Sequence, residues 1–281
     1  MSGTLPFVVP FGRDGAADRA ARVVAARLGC EVENVPGDGG LAGVRRANAL
    51  ASTRQPVLLL ATPTTHVLLP SRLGASAAPD PAFKAVLGLG SAPNVLLVSS
   101  KVPARTVDEL VALAQRETLT YASAGVGQTI HACSALFCAL AGVEMTHRPY
   151  DQGSAAAYAD LARGDVHVYF DNALACTDAI VAGHVVPLAV SSRERHPGLR
   201  GVPTLRECGC DHALDVWMAV FAANLGRHDA ERVEELARSN DLERELGRLG
   251  LAGGPQTGAE ARVEVERSSV LWRSALEALG R

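Results

Sequence analysis

A turn rich in glycine and hydroxyl groups separates a predicted strand from a predicted helix near the middle of the chain. The strand covers Leu119–Ala122, the turn covers Ser123–Gly127, and an apolar helical pattern follows. A helix N-terminus leaves its first backbone N–H groups unpaired and carries the positive end of the helix dipole, so this arrangement favours a bound anion. Ser123, Gln128 and Thr129 would add side-chain donors at the same place.

The glycines of this turn, Gly125 and Gly127, do not match the known phosphate loops. Their spacing is neither that of a Walker loop nor the Gly-x-Gly-x-x-Gly of dinucleotide-binding folds. The alternative interpretation is an ordinary strand–helix turn in which glycine supplies a positive φ. The local sequence leaves both interpretations open.

Length and composition predict a soluble protein with two lobes. At 281 residues the chain is long for one core, and 48% hydrophobic with 20% charged residues excludes a disordered chain. The net charge is −3, and no basic run is interleaved with aromatic residues, which argues against nucleic-acid binding. No apolar run has the length of a membrane-spanning helix, so we expect a protein that is not embedded in a membrane.

The N-terminal sequence passes directly from Met1–Thr4 into the apolar run Leu5–Val9. It lacks the basic segment and the cleavage site that secretory signals carry. Two situations are compatible with this observation. Either a signal was removed and the protein is exported, or Met1 is the natural start and the protein is cytoplasmic.

The six cysteines predict reduced thiols rather than disulfides. Cys133 and Cys138 lie in one apolar helix, and Cys208 and Cys210 are too close in sequence for an easy bridge. No pair of CxxC motifs is present, so we expect neither a structural zinc site nor another bound metal. No sequence motif indicates a cofactor.

Strand and helix patterns alternate along the first part of the chain. Strands are predicted at Leu5–Val9, Glu31–Val35 and Pro56–Ala61, with helical patterns between them. This order predicts an α/β fold with a parallel sheet covered on both faces.

A second α/β unit is predicted in the middle of the chain, where a capping box at Thr106–Glu109 opens a helix. We expect a discontinuous lobe from residues 1–100 with 222–281 and a second lobe from residues 101–221. The remaining predicted strands are Ala85–Leu89, Asn94–Val98, Met145–Arg148, Val166–Phe170, Val186–Val190 and Asp215–Ala223.

Five loops follow the carboxyl ends of predicted strands, where ligands of open α/β sheets bind. Four of them are rich in Gly, Ser and Thr. Two such lobes would leave a cleft, and we expect these loops to form a clamp for a small anion there. The loops contain Arg13, Thr64, Ser123, Ser154 and Asp171.

Many short motifs run in the same order as in one known family. The chain resembles the receptors of tripartite tricarboxylate transporters, which are often called Bug-type solute-binding proteins. The resemblance covers nearly the whole chain. Its motifs are Val9-Pro10-Phe11 with Gly15 and Asp18, Val35-Pro36-Gly37 with Gly39-Gly40, Pro93-Asn94-Val95-Leu96, Val102-Pro103, Tyr121–Gly125, Met145–Tyr150, Phe170-Asp171-Asn172, Ala189-Val190-Ser191, Val202-Pro203-Thr204 and Trp217.

The resemblance implies a two-domain fold of the type II periplasmic-binding-protein kind that closes over a small carboxylate. It also implies a periplasmic, monomeric receptor that presents its ligand to membrane transporter subunits, without a cofactor. The ligand-binding residues that it implies are Phe11, Gly12, Arg13, Asp14, Gly15, Thr62, Thr64, Thr65, His66, Ser123, Gly125, Gly127, Gln128, Thr129, Tyr150, Ser154, Asp171 and Asn172.

The chain departs from the family pattern in three loops. Where the family usually has Ala-Pro-Gly-Gly, this chain has Gly12–Gly15, so that Arg13 could make a bidentate contact to a carboxylate or pair with Asp14 instead. The usual turn before the third strand is replaced by Thr53–Pro56. Asp151–Gly153 places an acid where the family usually has a lysine.

Histidines and cysteines leave an enzymatic alternative open. His66 could contact a ligand or act as a general base, whereas His147 is expected to be structural and His131 and Cys133 face different sides of one helix. Asp171 could orient a hydroxyl or amine of the ligand, or act as a base. The alternatives to a transport receptor are a cytosolic sensor of an organic acid and a cytosolic isomerase or hydrolase of such an acid. No catalytic residue is assigned.

Overall fold

The computed structural model of the chain describes residues 4–150, 154–211 and 213–279. These residues form two compact units. Unit 1 comprises Met1–Ser91 and Trp217–Arg273, and unit 2 comprises Ala92–Val216 and Ser274–Arg281. Each unit has its own strands and helices.

The strands of the two units carry the labels β1 to β10 in chain order. They are β1 (Pro6–Val9), β2 (Glu31–Asn34), β3 (Val57–Ala61), β4 (Lys84–Ser99), β5 (Leu119–Ser123), β6 (Met145–Pro149), β7 (Val168–Asn172), β8 (Val185–Val190), β9 (Asp215–Ala223) and β10 (Gln256–Thr257).

The α-helices are labelled in the same way. They are α1 (Ala16–Leu28), α2 (Leu41–Ser52), α3 (Leu69–Leu73), α4 (Val107–Ala114), α5 (Thr129–Ala141), α6 (Ser154–Arg163), α7 (Ala173–Val181), α8 (Arg227–Leu236), α9 (Asn240–Arg248) and α10 (Gly258–Leu279). The prediction that Thr106 and Glu109 open α4 with a capping box is confirmed.

In unit 1, β1 pairs in parallel with β2 and with β3, as the alternating pattern predicts. The sheet then continues through β9, which is antiparallel to β3, to β4. All five residues of β3 are buried, which explains its uninterrupted apolar sequence. The carboxyl ends of β1 and β3 therefore lie at one edge, where the loops that follow them begin.

In unit 2, the strand order is β4, β7, β5 and β6, and β8 also pairs with β4. The pairing of β5 with β6 and with β7 is parallel. The loops after β5, β6 and β7 thus leave the sheet at the same edge, which brings three of the predicted site segments into one region of the unit.

The strand β4 corrects the prediction of two separate strands at Ala85–Leu89 and Asn94–Val98. It runs without interruption from Lys84 to Ser99. Ser91 and Ala252 exchange two backbone hydrogen bonds of 2.8 Å, which hold the glycine-rich centre of β4 in extended pairing. The local sequence predicts a turn here, because the pairing partner that keeps the segment extended lies far away along the chain.

The units divide inside strands rather than in loops. The divisions lie at 91/92 in β4 and at 216/217 in β9, and the lobe boundaries at 100/101 and 221/222 stay a prediction. Because both boundaries lie within continuous strands, the amino-acid composition does not change at either of them. No helix in the described ranges is long and apolar enough to cross a membrane, and all six cysteines are free.

Candidate functional site

The loop between β1 and α1 contains the predicted residues Phe11–Gly15. Asp14 adopts a left-handed conformation with φ of 64°, and its carbonyl oxygen accepts a hydrogen bond of 2.9 Å from Arg19 Nε. Arg13 is exposed and forms no ion pair within the described residues, so the alternative of a pair with Asp14 does not occur. The loop therefore presents an exposed guanidinium that has no carboxylate partner in the described part of the chain.

Asp18 holds this loop in place from inside. Its side chain is buried and accepts hydrogen bonds from Asp14 N at 2.9 Å, Arg22 Nε at 2.8 Å and Asn34 Nδ2 at 2.8 Å. Burial alone would raise the pKa of Asp18, but these hydrogen bonds outweigh it and leave the pKa below its usual value. Asn34 also donates to Phe11 O, so one carboxylate and one amide fix both ends of the loop.

The segment after β3 is helical rather than a loop. Thr64–Leu68 forms a π-helical turn that continues into α3. Thr65 Oγ1 lies 3.1 Å from both Thr62 N and Thr62 O, and 2.9 Å from His66 Nδ1. The predicted residues of this segment are thus joined to one another.

His66 packs against two aromatic rings of β9. Its ring centroid lies 5.8 Å from that of Trp217 and 4.2 Å from that of Phe221. Burial lowers the pKa of His66 to about 3, so the imidazole is neutral at physiological pH. A neutral histidine can contact a ligand through a ring nitrogen but adds no charge to the site.

In unit 2, the turn after β5 opens α5 without a side-chain cap. Gln128 is the N-cap residue and makes no capping hydrogen bond, and Gly125 and Gly127 have φ of 126° and 80°. Ser123 Oγ accepts from Gly125 N at 3.1 Å, and Gln128 Nε2 donates to Ala124 O. These side chains shape the turn, and the N-cap side chain makes no hydrogen bond to the N-terminus of α5, which carries the positive end of the helix dipole.

Two histidines support the turn from below. His147 Nε2 lies 2.7 Å from Ser123 Oγ, and His131 Nδ1 accepts from Gly127 N at 3.2 Å. Their rings lie 4.4 Å apart, and the ring of Tyr121 stacks on His147 at 4.8 Å. Both histidines therefore hold the turn in position, and their contacts do not indicate a catalytic role.

Tyr150 joins the loop after β6 to the same turn. Its backbone N–H donates to Ser123 O at 2.8 Å, and its hydroxyl donates to Asp160 Oδ2 at 2.5 Å. Ser154 is the first residue of α6. Asp151–Gly153, where the sequence placed an unusual acid, lie outside the described residues.

Asp171 and Asn172 end β7. Asp171 is buried and accepts from Tyr158 OH at 2.7 Å and from Asn172 N at 2.8 Å. Burial raises the pKa of Asp171 to about 6, and the two hydrogen bonds only partly oppose that effect. Tyr158 lies in α6, so this carboxyl group connects the end of β7 to the helix that begins at Ser154.

Several buried polar atoms lack a hydrogen-bond partner within the described ranges. Thr62 Oγ1 and Asn172 Nδ2 belong to predicted site residues, and buried polar atoms of this kind call for an ordered water molecule as their partner. Three further atoms of this kind belong to residues outside the predicted set, namely Asn94 Oδ1, Tyr169 OH and Trp217 Nε1. Asn94 lies opposite Asn172 in the β4–β7 register.

Sequence reasoning did not assign these three residues to a site. Asn94 and Trp217 stand in motifs that the family resemblance quotes, which is the signal that could have identified them. Tyr169 carries no such signal, because a tyrosine within a predicted strand is typical of a core residue. In the described parts of the chain no group of three His, Cys, Asp or Glu residues could hold a metal ion.

Two α/β units whose strand ends carry helix N-termini, hydroxyl groups and an exposed arginine are typical of a protein that binds a small solute. Over residues 17–236 the sequence matches the family described as tripartite tricarboxylate transporter family receptor. The chain belongs to this family. The family consists of periplasmic receptors rather than enzymes.

Individual relatives agree with this assignment. The chain is 31% identical, over 95% of its length and 84% of the relative, to the UPF0065 protein in the tcbD-tcbE intergenic region of Pseudomonas sp. strain P51. Among solved structures it is similar to R. palustris Rpa4515 with adipate, with a TM-score of 0.85 and 29% identity over 99% of this chain and 97% of that one. It is also similar to MatC (Rpa3494) from Rhodopseudomonas palustris with bound malate, with a TM-score of 0.78 and 27% identity over 99% and 97%.

Proposed function

We propose that this receptor captures a small organic carboxylate at its predicted ligand-binding residues. The observation that carries the proposal is the N-terminus of α5, where uncapped backbone N–H groups follow a turn held by Ser123, His131 and His147. Such an N-terminus favours a carboxylate without a full counter-charge.

Unit 1 supports the same ligand class. Arg13 lies in a loop that hydrogen bonds to Asp18 hold in place, and its guanidinium, which forms no ion pair with another described residue, can bind a carboxylate with two parallel hydrogen bonds. The segment that contains Thr62 and His66 adds hydroxyl groups and a neutral imidazole. Contacts of this mixed kind orient a ligand as well as attract it.

The related structures support a carboxylate in particular. Rpa4515 was solved with adipate and MatC with malate, and both compounds carry carboxylate groups. The two proteins share 29% and 27% of their sequence with this chain over nearly its whole length. We infer a carboxylate ligand of this chain, with the particular acid to be identified by experiment.

The transport role completes the proposal. As a receptor of this family, the protein would act in the periplasm as a monomer and deliver its ligand to membrane transporter subunits. Family membership supports the location and the partner. Sedimentation with and without the ligand tests the monomeric state.

A thermal-shift screen of mono-, di- and aromatic carboxylates tests the ligand class. An acid that binds only the folded state adds about 2.7 kcal/mol to the free energy of unfolding at a hundred times its Kd. We expect at least one acid to raise Tm in proportion to the logarithm of its concentration. Each stabilising acid is then recovered after long incubation, and its molecular mass is determined by mass spectrometry.

The outcomes separate the alternatives. An acid recovered unchanged supports the receptor, whereas an acid recovered in altered form would assign an enzymatic activity to the site. If no carboxylate raises Tm, the proposed anion site at the N-terminus of α5 is wrong.

A further inference from the structure

Asp171 is a buried carboxyl group whose described partners are uncharged. Its Oδ2 accepts a hydrogen bond of 2.7 Å from Tyr158 OH, and its Oδ1 accepts one of 2.8 Å from Asn172 N. Only 4% of the residue is exposed, and it forms no ion pair with another described residue. Ionisation of a carboxyl group in such surroundings is costly, because no opposite charge replaces the water that burial removes.

The groups that face Asp171 from the neighbouring elements stay neutral near pH 7. They are Tyr158 of α6, Tyr169 of β7 and Cys176 of α7. Burial is the main cause of a raised pKa in each of them, and the nearby Asp171 raises it further. Across the β4–β7 pairing the neighbour of Asp171 is Val95, which is apolar. Among these residues only Asp171 changes its charge close to neutral pH, since burial raises its pKa to about 6.

Charged side chains of β6 and α6 are paired with one another rather than with Asp171. Arg148 Nη2 lies 2.9 Å from Asp160 Oδ2, and Arg163 contacts Asp160 Oδ1. Asp160 stands two residues after Tyr158 in α6, and residues at this spacing do not face the same side of a helix. Asp171 therefore takes no part in this group of ion pairs.

The histidines that support the turn before α5 lie on the other face of the sheet. His131 and His147 both stack near the ring of Tyr121. Tyr121 pairs with Val168, which stands three residues before Asp171 in β7. Because side chains three residues apart in a strand point to opposite faces, the sheet lies between both histidine rings and the carboxyl group of Asp171.

The end of β7 lies beside the turn that opens α5. In the parallel pairing of β5 with β7, Ala122 is opposite Tyr169. Two residues further along, the same register brings Asp171 level with Ala124, which belongs to that turn. Neighbouring strands are about 4.8 Å apart, so an anion at the N-terminus of α5 would stand within roughly 10 Å of Asp171.

A negative charge on Asp171 would therefore repel a carboxylate that is bound at this turn. At a separation of about 10 Å and an effective dielectric constant of about 20–40, the repulsion of two unit charges weakens binding roughly 4- to 16-fold. Protonation of Asp171 removes the repulsion. Because the coupling between two binding sites is reciprocal, a bound carboxylate in turn favours the protonated form of Asp171.

We propose that the receptor binds its carboxylate together with a proton, which Asp171 takes up from solvent, and that ionisation of Asp171 favours release of the ligand. The inference rests on the proposed carboxylate site at the N-terminus of α5. Asp171 acts on the ligand through its charge, whereas both of its oxygens stay hydrogen-bonded to Tyr158 and to the Asn172 backbone. Capture of the carboxylate is then strongest at mildly acidic pH.

Calorimetric titrations with malate and with adipate between pH 5.5 and pH 8 test this coupling. In the wild type we expect Kd to rise about tenfold over this range. Binding at pH 6.5 should take up a fraction of a proton, which follows from the heats measured in two buffers of different ionisation enthalpy. Asp171→Asn has no charge to lose, so its Kd and its proton uptake should follow only the titration of the acids themselves. That titration is common to both proteins and cancels in the comparison.

Two further variants separate an effect of charge from a structural one. Asp178→Asn removes an exposed carboxylate of α7 and should keep the pH dependence of the wild type. Tyr158→Phe removes a hydrogen bond that lowers the pKa of Asp171, so the pH at which Kd begins to rise should move to a higher value. A purely structural role of Tyr158 would change Kd to the same extent at every pH. This variant also tests the coupling if Asp171→Asn does not fold.

The outcomes distinguish this inference from the proposed function. An equal pH dependence of Kd in the wild type and in Asp171→Asn would overturn the proton coupling and leave the carboxylate site in place. A midpoint that Tyr158→Phe leaves unchanged would have the same meaning. If neither malate, adipate nor any other acid of the thermal-shift screen binds at any pH, the proposed function is wrong and the coupling is wrong with it.

Discussion

Asp171 combines burial with a carboxyl group that ionises near neutrality. Its pKa is about 6 in the folded protein and 3.8 in the unfolded chain, so its contribution to stability is present below pH 3.8 and is lost as the pH rises through 6. The difference corresponds to an effect on the order of 3 kcal/mol.

Asp171→Asn removes this titration. Tyr158 and the Asn172 backbone can keep hydrogen bonds to the amide, so we expect the variant to be more stable than the wild type at pH 7.5 and to lose that advantage at pH 4. Urea unfolding at the two pH values measures the difference. An equal effect of the substitution at both pH values would show that Asp171 has an ordinary pKa.

His66 has the opposite dependence on pH. Its pKa of about 3 lies below the usual 6.5 because of burial, so its contribution is present above pH 6.5 and decreases as the pH falls toward 3. We expect His66→Phe, which can keep the contacts with Trp217 and Phe221, to unfold at a lower pH than the wild type.

Acid unfolding monitored by circular dichroism checks this prediction. His228→Phe is the matched control, since His228 is an exposed histidine of the same unit. The same acid midpoint for wild type and His66→Phe would contradict the lowered pKa.

At the scale of elements, the loop between β1 and α1 depends on one buried carboxylate. Asp18→Ala leaves Arg22, Asn34 and the Asp14 N–H without their acceptor, and removal of one partner from a buried charged network costs about 3–5 kcal/mol. We expect a loss of this order in urea unfolding, together with weaker ligand binding because Arg13 is no longer held.

Asp18→Asn keeps one acceptor and should lose less stability. The control is Asp241→Asn in α9, where the side chain is exposed and its removal is expected to change the free energy of unfolding by less than about 0.5 kcal/mol. A loop that binds ligand normally in the Asp18→Ala variant would show that it does not need this support.

Local patterns account for the elements that could be predicted from the sequence. The turn before α5, the capping box of α4 and the parallel strands β1 to β3 all follow from neighbouring residues. The continuity of β4 depends on hydrogen bonds between Ser91 and Ala252, and no local pattern records such a distant pairing.

The candidate site, too, could be predicted only where local sequence patterns determine it. The loops that contain Arg13 and Ser123 were expected, because strand ends and glycine turns are visible in the sequence. The contact of His131 with His147 and that of His66 with Trp217 depend on strand register and on helix packing. The lack of a partner for Asn94 Oδ1 among the described residues depends on the packing of β4 against β7, which no local pattern in the sequence shows.

At the scale of the whole molecule, a double-mutant cycle tests whether predicted ligand-binding residues of the two units act on one ligand. Arg13 represents unit 1, and Thr129, the first residue of α5, represents unit 2. A double-mutant cycle with Arg13→Gln and Thr129→Val measures their coupling on the acid that the thermal-shift screen identifies. Loss of a hydrogen bond to a charged group costs about 1.5–3 kcal/mol, so Arg13→Gln alone should weaken binding about 10- to 100-fold.

If one carboxylate ligand contacts both residues, the double variant should lose less affinity than the two single losses together, with a coupling energy above about 0.5 kcal/mol by calorimetry. Arg54→Gln replaces another exposed arginine of unit 1 and should neither weaken binding nor couple to Thr129→Val. Strict additivity of Arg13 and Thr129 would mean that the two units do not share the ligand. A loss confined to Thr129→Val would then place the whole carboxylate site in unit 2.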